Sequence, residues 1–222
     1  MESFARVLKG RIFLSAFPEN ATAGNEQKTL TAVLFVGGLS RRMGSDKATL
    51  QFDGEPLWAR QLRLLRELKP DTLLVSARAR PPWCPEEIEA VIDEPPSRGP
   101  LSGLAAALRR VQTSHLLVLA VDLPRMAAAP LRQLWSQSEP SCGVVPSRED
   151  LLEPLCAIYP AEAASDAAAA IACGEFDSLQ SFVRWLARKN RMRIQPVNES
   201  EWHFFQNVNT PHDYETSRSA LL

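Results

Sequence analysis

The run Leu30-Thr31-Ala32-Val33-Leu34-Phe35-Val36 is apolar at almost every position and stops at Gly37-Gly38. A continuous apolar run of this length, in place of an alternating one, is the pattern of a strand buried on both faces inside a parallel sheet. Pro56 then opens a stretch in which Leu57, Gln61, Leu65 and Leu68 recur at helical spacing, with Trp58, Leu62 and Leu64 beside them. Arg60, Arg63, Arg66 and Glu67 lie mostly elsewhere, so the stretch predicts an amphipathic helix packed on that sheet. Residues 72–76, 88–92 and 115–121 read as further strands, with a helix over 104–111. Strand and helix alternate throughout this half, which predicts a three-layer α/β/α, Rossmann-like domain with a mostly parallel sheet and its ligand over the carboxyl ends of the strands.

The rhythm continues less clearly beyond Val121. Helices are expected over 127–137, 161–173 and 178–188, and strands over 142–146, 155–159, 193–197 and 203–205. Thr210 is placed to cap a last helix with Pro211 at its first position. Residues 29–222 are expected to form a single domain. Residues 1–28, with Arg6, Lys9 and Arg11 near a short apolar patch at 12–17, lack a convincing signal core and read as an N-terminal extension, mobile or loosely docked.

Composition narrows the function. With 25 Lys plus Arg against 26 Asp plus Glu the net charge is -1, so nothing global draws the chain to nucleic acid and any anion must be held by a local cluster. No apolar run approaches the roughly 18 residues that span a bilayer. Cys84, Cys142, Cys156 and Cys173 show neither C-x-x-C spacing nor a metal-ligand pairing with histidine, and fit reduced packing residues of a cytoplasmic protein.

Four clusters could carry chemistry. The first is the stretch from Gly37 to Lys47, where glycines let backbone N–H groups approach phosphates and Arg41, Arg42 and Lys47 supply positive charge. Its glycines lack the G-x-G-x-x-G spacing, and Gly44 is followed by Ser45-Asp46, which departs from a P-loop. The second is Asp122, at the end of a buried strand and before Leu123-Pro124, placed either to hold Mg²⁺ against phosphates or to cap a turn. The third is Asp93-Glu94 ahead of Gly99-Pro100-Leu101, a base or sugar acceptor or a loop initiator. The fourth is Asn207-Val208-Asn209-Thr210-Pro211, whose amides could reach a phosphate, a metal-bound water or a pterin, or simply form a turn. Each cluster is weak alone; their order along the chain is specific.

That order resembles the molybdenum cofactor guanylyltransferases, on Leu34 to Gly38, Ser40 to Met43, Gly44, Asp46-Lys47, Gly99-Pro100-Leu101, Asp122-Leu123-Pro124, Glu153-Pro154-Leu155 and Asn207 to Pro211. The resemblance spans roughly 31–214. It implies Mg²⁺-dependent transfer of GMP from GTP to molybdopterin with release of pyrophosphate, and molybdoenzymes or their chaperones as recipients of the product. It further implies that Asp122 binds the metal, that Lys47 contacts the nucleotide phosphates, and that Phe35, Val36, Gly37 and Gly38 border the guanine. Asp93, or its neighbour Glu94, would contact the nucleotide. Arg42 or Arg41 would help Lys47 to stabilise the leaving pyrophosphate, and Asn207 and Asn209 would position substrate or metal-bound water. Val36 stands where Ala is usual, and Ser76 where relatives can place an Asn near the nucleotide. The alternatives are cytidylyl or adenylyl transfer to the same pterin, guanylyl transfer to another phosphorylated acceptor, and a non-catalytic nucleotide-binding escort. No nucleophile elbow is present, so catalysis is expected to rest on positioning and charge neutralisation, without a covalent intermediate.

Overall fold

The computed structural model describes residues 28–36, 47–93, 99–210 and 213. In chain order the elements are β1 (Leu30–Phe35), β2 (Gln51–Phe52), β3 (Glu55–Pro56), α1 (Leu57–Glu67), β4 (Thr72–Ala77), β5 (Glu89–Ile92), α2 (Pro100–Leu108), β6 (His115–Ala120), α3 (Ala128–Gln137), β7 (Gly143–Arg148), β8 (Leu151–Leu152), β9 (Cys156–Pro160), α4 (Ala163–Cys173), α5 (Leu179–Arg188) and β10 (Met192–Pro196). The main sheet has the order β10-β7-β9-β6-β1-β4-β5, with β8 paired to β7. β1 runs parallel to both β4 and β6, β4 to β5, and β10 to β7. β9 is inserted antiparallel between β6 and β7. The connection 149–155 is too short for a parallel crossover, which needs about a dozen residues or more, so the chain can only turn back.

The period of two along β1 assigns each layer its contacts. Leu30, Ala32 and Leu34 join one core with Leu57, Leu62 and Leu65 of α1 and Leu131 and Leu134 of α3. Val33 and Phe35 join the other, with Leu104 of α2, Ala167 of α4 and Phe182 and Leu186 of α5. Both faces of the strand are covered, which is why the run could be apolar throughout.

Two expected elements are corrected. The helix expected over 104–111 begins at Pro100 and ends at Leu108, because Gly99 takes φ 69 and lets the chain enter the helix with proline at its first position. The strand expected over 203–205 is the end of a 3-10 helix, Glu199–Phe205, in which Trp202 and Phe205, three residues apart, share one buried face and stack with ring centroids 5.5 Å apart. Ser178 caps α5 through a reciprocal capping box with Ser181. Cys84 and Cys156 are buried as expected, whereas Cys173 is exposed. Among the described residues, no helix is long and apolar enough to cross a membrane.

Candidate active site

The parallel strands deliver polar residues to one edge of the sheet. The Phe35 carbonyl accepts from Val121 N at 2.9 Å, Val36 N donates to the Ser76 carbonyl at 3.0 Å, and Asp93 N donates to the Ala77 carbonyl at 3.2 Å. Asp122, Val36, Ser76 and Asp93 therefore follow one another along the carboxyl ends of β6, β1, β4 and β5. At about 4.8 Å between strands, the row spans about 14 Å, the reach of an extended nucleotide from base to phosphates.

At the β6 end, Lys47 is held by the short 3-10 turn Lys47–Thr49, whose Ala48 is fully buried. Its ammonium lies 3.3 Å from Asp122 Oδ2 and donates to Asn209 Oδ1 at 2.7 Å. Val208 N donates to the Asp122 carbonyl at 2.9 Å, tying the late asparagine turn to the same strand end. That turn is braced from behind. Asp213 Oδ2 accepts from Asn209 N and Thr210 N, and Thr210 Oγ1 accepts from Asp213 N at 3.1 Å, the cap expected at Thr210. Burial raises the Asp122 carboxyl above the usual range, and Lys47 opposes that rise.

At the other end of the row, Gly103 of α2 faces Phe35, Ser76 and Asp93. A Cβ on Gly103 would stand 2.9 Å from Phe35 Cε1, 3.1 Å from Ser76 Oγ and 3.5 Å from Asp93 Oδ1. The helix thus comes close to the strand ends only because this position lacks a side chain. Of the residues expected at the site, Lys47, Asp122 and Asn209 are in direct contact, and Phe35, Ser76 and Asp93 gather around Gly103. Val36 links the two groups. Gly37, Gly38, Arg41, Arg42 and Glu94 lie outside the described residues.

One group was not assigned a role from the sequence. Glu153 sits beside Asp122, and its carboxyl is pushed up to about 7 by burial and by the Asp122 charge, while the nearby Asn207 side chain pulls the other way. The Glu153-Pro154-Leu155 triplet was visible; its meeting with Asp122 depends on contacts between distant segments.

A buried parallel sheet with a lysine, carboxylates and amides gathered at its strand ends is the arrangement of a nucleotide-binding α/β transferase. The MobA-like NTP transferase domain matches residues 32–191. A probable molybdenum cofactor guanylyltransferase of Opitutus terrae is 38% identical over 192 residues, covering 85% of this chain and 95% of that protein. The molybdenum cofactor guanylyltransferase of Xanthomonas euvesicatoria is 32% identical, over 85% of this chain and 94% of its own length. Among solved structures, the molybdopterin-guanine dinucleotide biosynthesis protein A of Archaeoglobus fulgidus superposes with a TM-score of 0.64 at 23% identity, over 86% of this chain and 98% of that one. The chain belongs to the MobA-like NTP transferase family and is a nucleotidyltransferase. Enzymes of this family are generally dependent on a divalent metal.

Proposed function

We propose that this chain transfers GMP from GTP to molybdopterin, forming the guanine dinucleotide cofactor and releasing pyrophosphate. The observation that carries the reading is the convergence of Lys47, Asp122 and Asn209 at the carboxyl end of β6, in a chain 38% identical to a probable guanylyltransferase. A phosphate oxygen of the pterin attacks the α-phosphorus of GTP in line; the new P–O bond forms as the bond to the bridging oxygen breaks, and pyrophosphate departs. Lys47 carries the charge of the phosphates, with Arg42 or Arg41 as its partner in the preceding loop. Phe35, Val36, Gly37 and Gly38 border the base, Ser76 and Asp93 contact the nucleoside, and Asn207 and Asn209 orient the acceptor or a bound water. We take 29–222 as the catalytic domain and 1–28 as an extension to it.

The residues present fit Mg²⁺. Asp122 and Glu153 are hard oxygen donors whose ionised forms are both disfavoured where they stand, so added positive charge would be welcome there. Asp122 would hold the ion, which when bound supplies charge neutralisation at the phosphates. The protein's own contribution is positioning: a lysine fixed between a carboxylate and an amide, on a turn capped by Thr210 and Asp213.

The test is pyrophosphate release by the purified protein with Mg²⁺ and molybdopterin, run in parallel with GTP, CTP and ATP. Release with GTP alone is expected. Preference for CTP or ATP would keep the chemistry and overturn the base, and silence with all three would leave a binding module. Molybdoenzymes or their chaperones are the recipients we expect for the product.

A further inference from the structure

The first turns of α1 are tied to both members of the Lys47–Asp122 pair. On one side Leu57 N donates to the Leu50 carbonyl at 2.9 Å, and Leu50 N donates to the Lys47 carbonyl at 3.2 Å, so the 3-10 turn that carries Lys47 is fastened to the start of the helix. On the other side lies the turn that follows Asp122, closed by Met126 N on the Leu123 carbonyl at 3.0 Å. Gln61 Nε2 donates to that same Leu123 carbonyl at 2.6 Å, and Arg60 Nε donates to the Pro124 carbonyl at 2.8 Å. Leu57 and Gln61 are four residues apart and so stand on one face, a single helical turn of about 5.4 Å from each other. Ala48, Leu57 and Leu123 pack into one core.

Gln61 is out of keeping with its surroundings. It is fully buried on the apolar face of α1, and among the described residues its Oε1 has no hydrogen-bond partner. A desolvated amide oxygen without a partner is destabilising, so leucine or methionine would fill this position with less penalty. What the carboxamide adds is one donor, aimed at the carbonyl next to Asp122. We propose that Gln61 is a positioning residue of the transfer reaction: it fixes the turn after Asp122 to the helix that also holds the Lys47 turn, and so sets the 3.3 Å approach of the two side chains. Arg60 seconds it from the rim of the helix, where its guanidinium also lies 3.9 Å from Asp53 and over the Phe52 ring of the β2–β3 hairpin. The catalytic consequence rests on the nucleotidyl-transfer reading above; the brace itself does not.

The experiment compares Gln61→Met and Arg60→Met with the wild type in the full chain, by steady-state kinetics of pyrophosphate release, urea denaturation and backbone hydrogen exchange. Methionine matches glutamine in length and removes both the donor and the orphaned oxygen, while the Leu123 carbonyl keeps Met126 N, so the urea midpoint should hardly move. Gln61→Met is nonetheless expected to lower kcat by about tenfold or more, because a 1 Å misplacement of reacting groups can slow a reaction about a hundredfold. KM for GTP should change less than about threefold, since the nucleoside contacts lie at the Gly103 end of the row. The readout that needs no activity is Val208 N, which donates to the Asp122 carbonyl: it should exchange about tenfold faster in Gln61→Met while the amides of β1 keep their wild-type rates. Arg60→Met, at a partly exposed side chain, should shift kcat and Val208 exchange in the same directions by about threefold, and it carries the test should Gln61→Met fail to fold. Activity lost only in proportion to the folded fraction, an unchanged kcat, or Val208 exchange that stays unchanged or rises together with that of β1 would each overturn the brace. If the wild type releases no pyrophosphate, the functional reading fails while Val208 exchange still decides the brace.

Discussion

Replacing Gly103 with alanine tests whether the wall formed by Phe35, Ser76 and Asp93 holds the nucleoside. Gly103 lies inside α2, so alanine gains helix propensity worth up to about 1 kcal/mol. Against that, the new Cβ would sit 2.9 Å from the Phe35 ring and 3.1 Å from Ser76 Oγ, closer than ordinary contact. Neither neighbour can retreat freely, since both are buried on central strands and the Ser76 carbonyl is committed to Val36 N. Overpacking of this kind costs about 1–3 kcal/mol. The two effects leave a net loss of about 1 kcal/mol in stability. The larger consequence is local: pushing Phe35 and Ser76 by a few tenths of an ångström deforms the nucleoside wall and should weaken GTP by about tenfold, which is about 1.4 kcal/mol. The Lys47–Asp122–Asn209 group stands at the end of β6, three strands from Asp93 in the row, and keeps its geometry, so kcat should fall less than threefold. GTP titration calorimetry, urea denaturation and initial rates measure the three quantities on one preparation. Unchanged GTP affinity together with the expected loss of stability would place the base elsewhere and refute the reasoning.

Three further outcomes follow from the geometry. Asp122→Ala should lower GMP transfer by at least tenfold, about 1.4 kcal/mol of barrier, with no large loss of melting temperature; a smaller fall would remove Asp122 as the metal ligand. In metal-free protein, folded Glu153 keeps its proton up to about 7 while the unfolded chain loses it near 4.5, so stability should decline as pH rises through that window. At 1.36 kcal/mol for each tenfold the ceiling is about 3 kcal/mol, and partial solvent contact reduces this to about 1–2. Glu153→Gln should flatten the slope and leave the contribution of Asp122, which has the same sign; denaturant titrations across the pH range check it, and stability rising with pH would contradict it. Gly143→Ala would bring a Cβ to 2.0 Å from the Ile158 carbonyl oxygen in the middle of the sheet, where backbone cannot yield, and should cost about 3 kcal/mol or more by urea denaturation. A cost below about 1 kcal/mol would mean that β7 and β9 can separate there.

The parts of the fold legible in the sequence are those where one period dominates. β1 and β6 announce themselves because both faces are buried, and α1 because Leu57, Gln61, Leu62 and Leu65 share one side. The 3-10 helix at Glu199–Phe205 was hidden because a cluster of aromatics satisfies a strand as well as a tight helix until the burial of Trp202 with Phe205 is known. The antiparallel entry of β9 was hidden too, since apolar content gives no direction; the shortness of 149–155 was the available clue. At the site, Lys47, Asp122 and Asn209 were legible because each belongs to a short motif whose order along the chain is specific. Glu153 was not, because it owes its place to burial beside Asp122, which is far from it in sequence.

The far end of the sheet is built differently from the site. There Lys28 donates to the carbonyls of Trp135 and Ser138 at the end of α3 and lies over the Trp135 ring, while the buried His115 links Ser114 to the Glu139 carbonyl. β1 runs six residues from this clasp to the site, about 20 Å. Whatever is attached ahead of Lys28 therefore joins the body at the pole opposite the strand ends. A surface tether or a dye introduced at this clasp is attached about 20 Å from the strand ends, which makes it the natural handle for single-molecule or biosensor work on substrate capture.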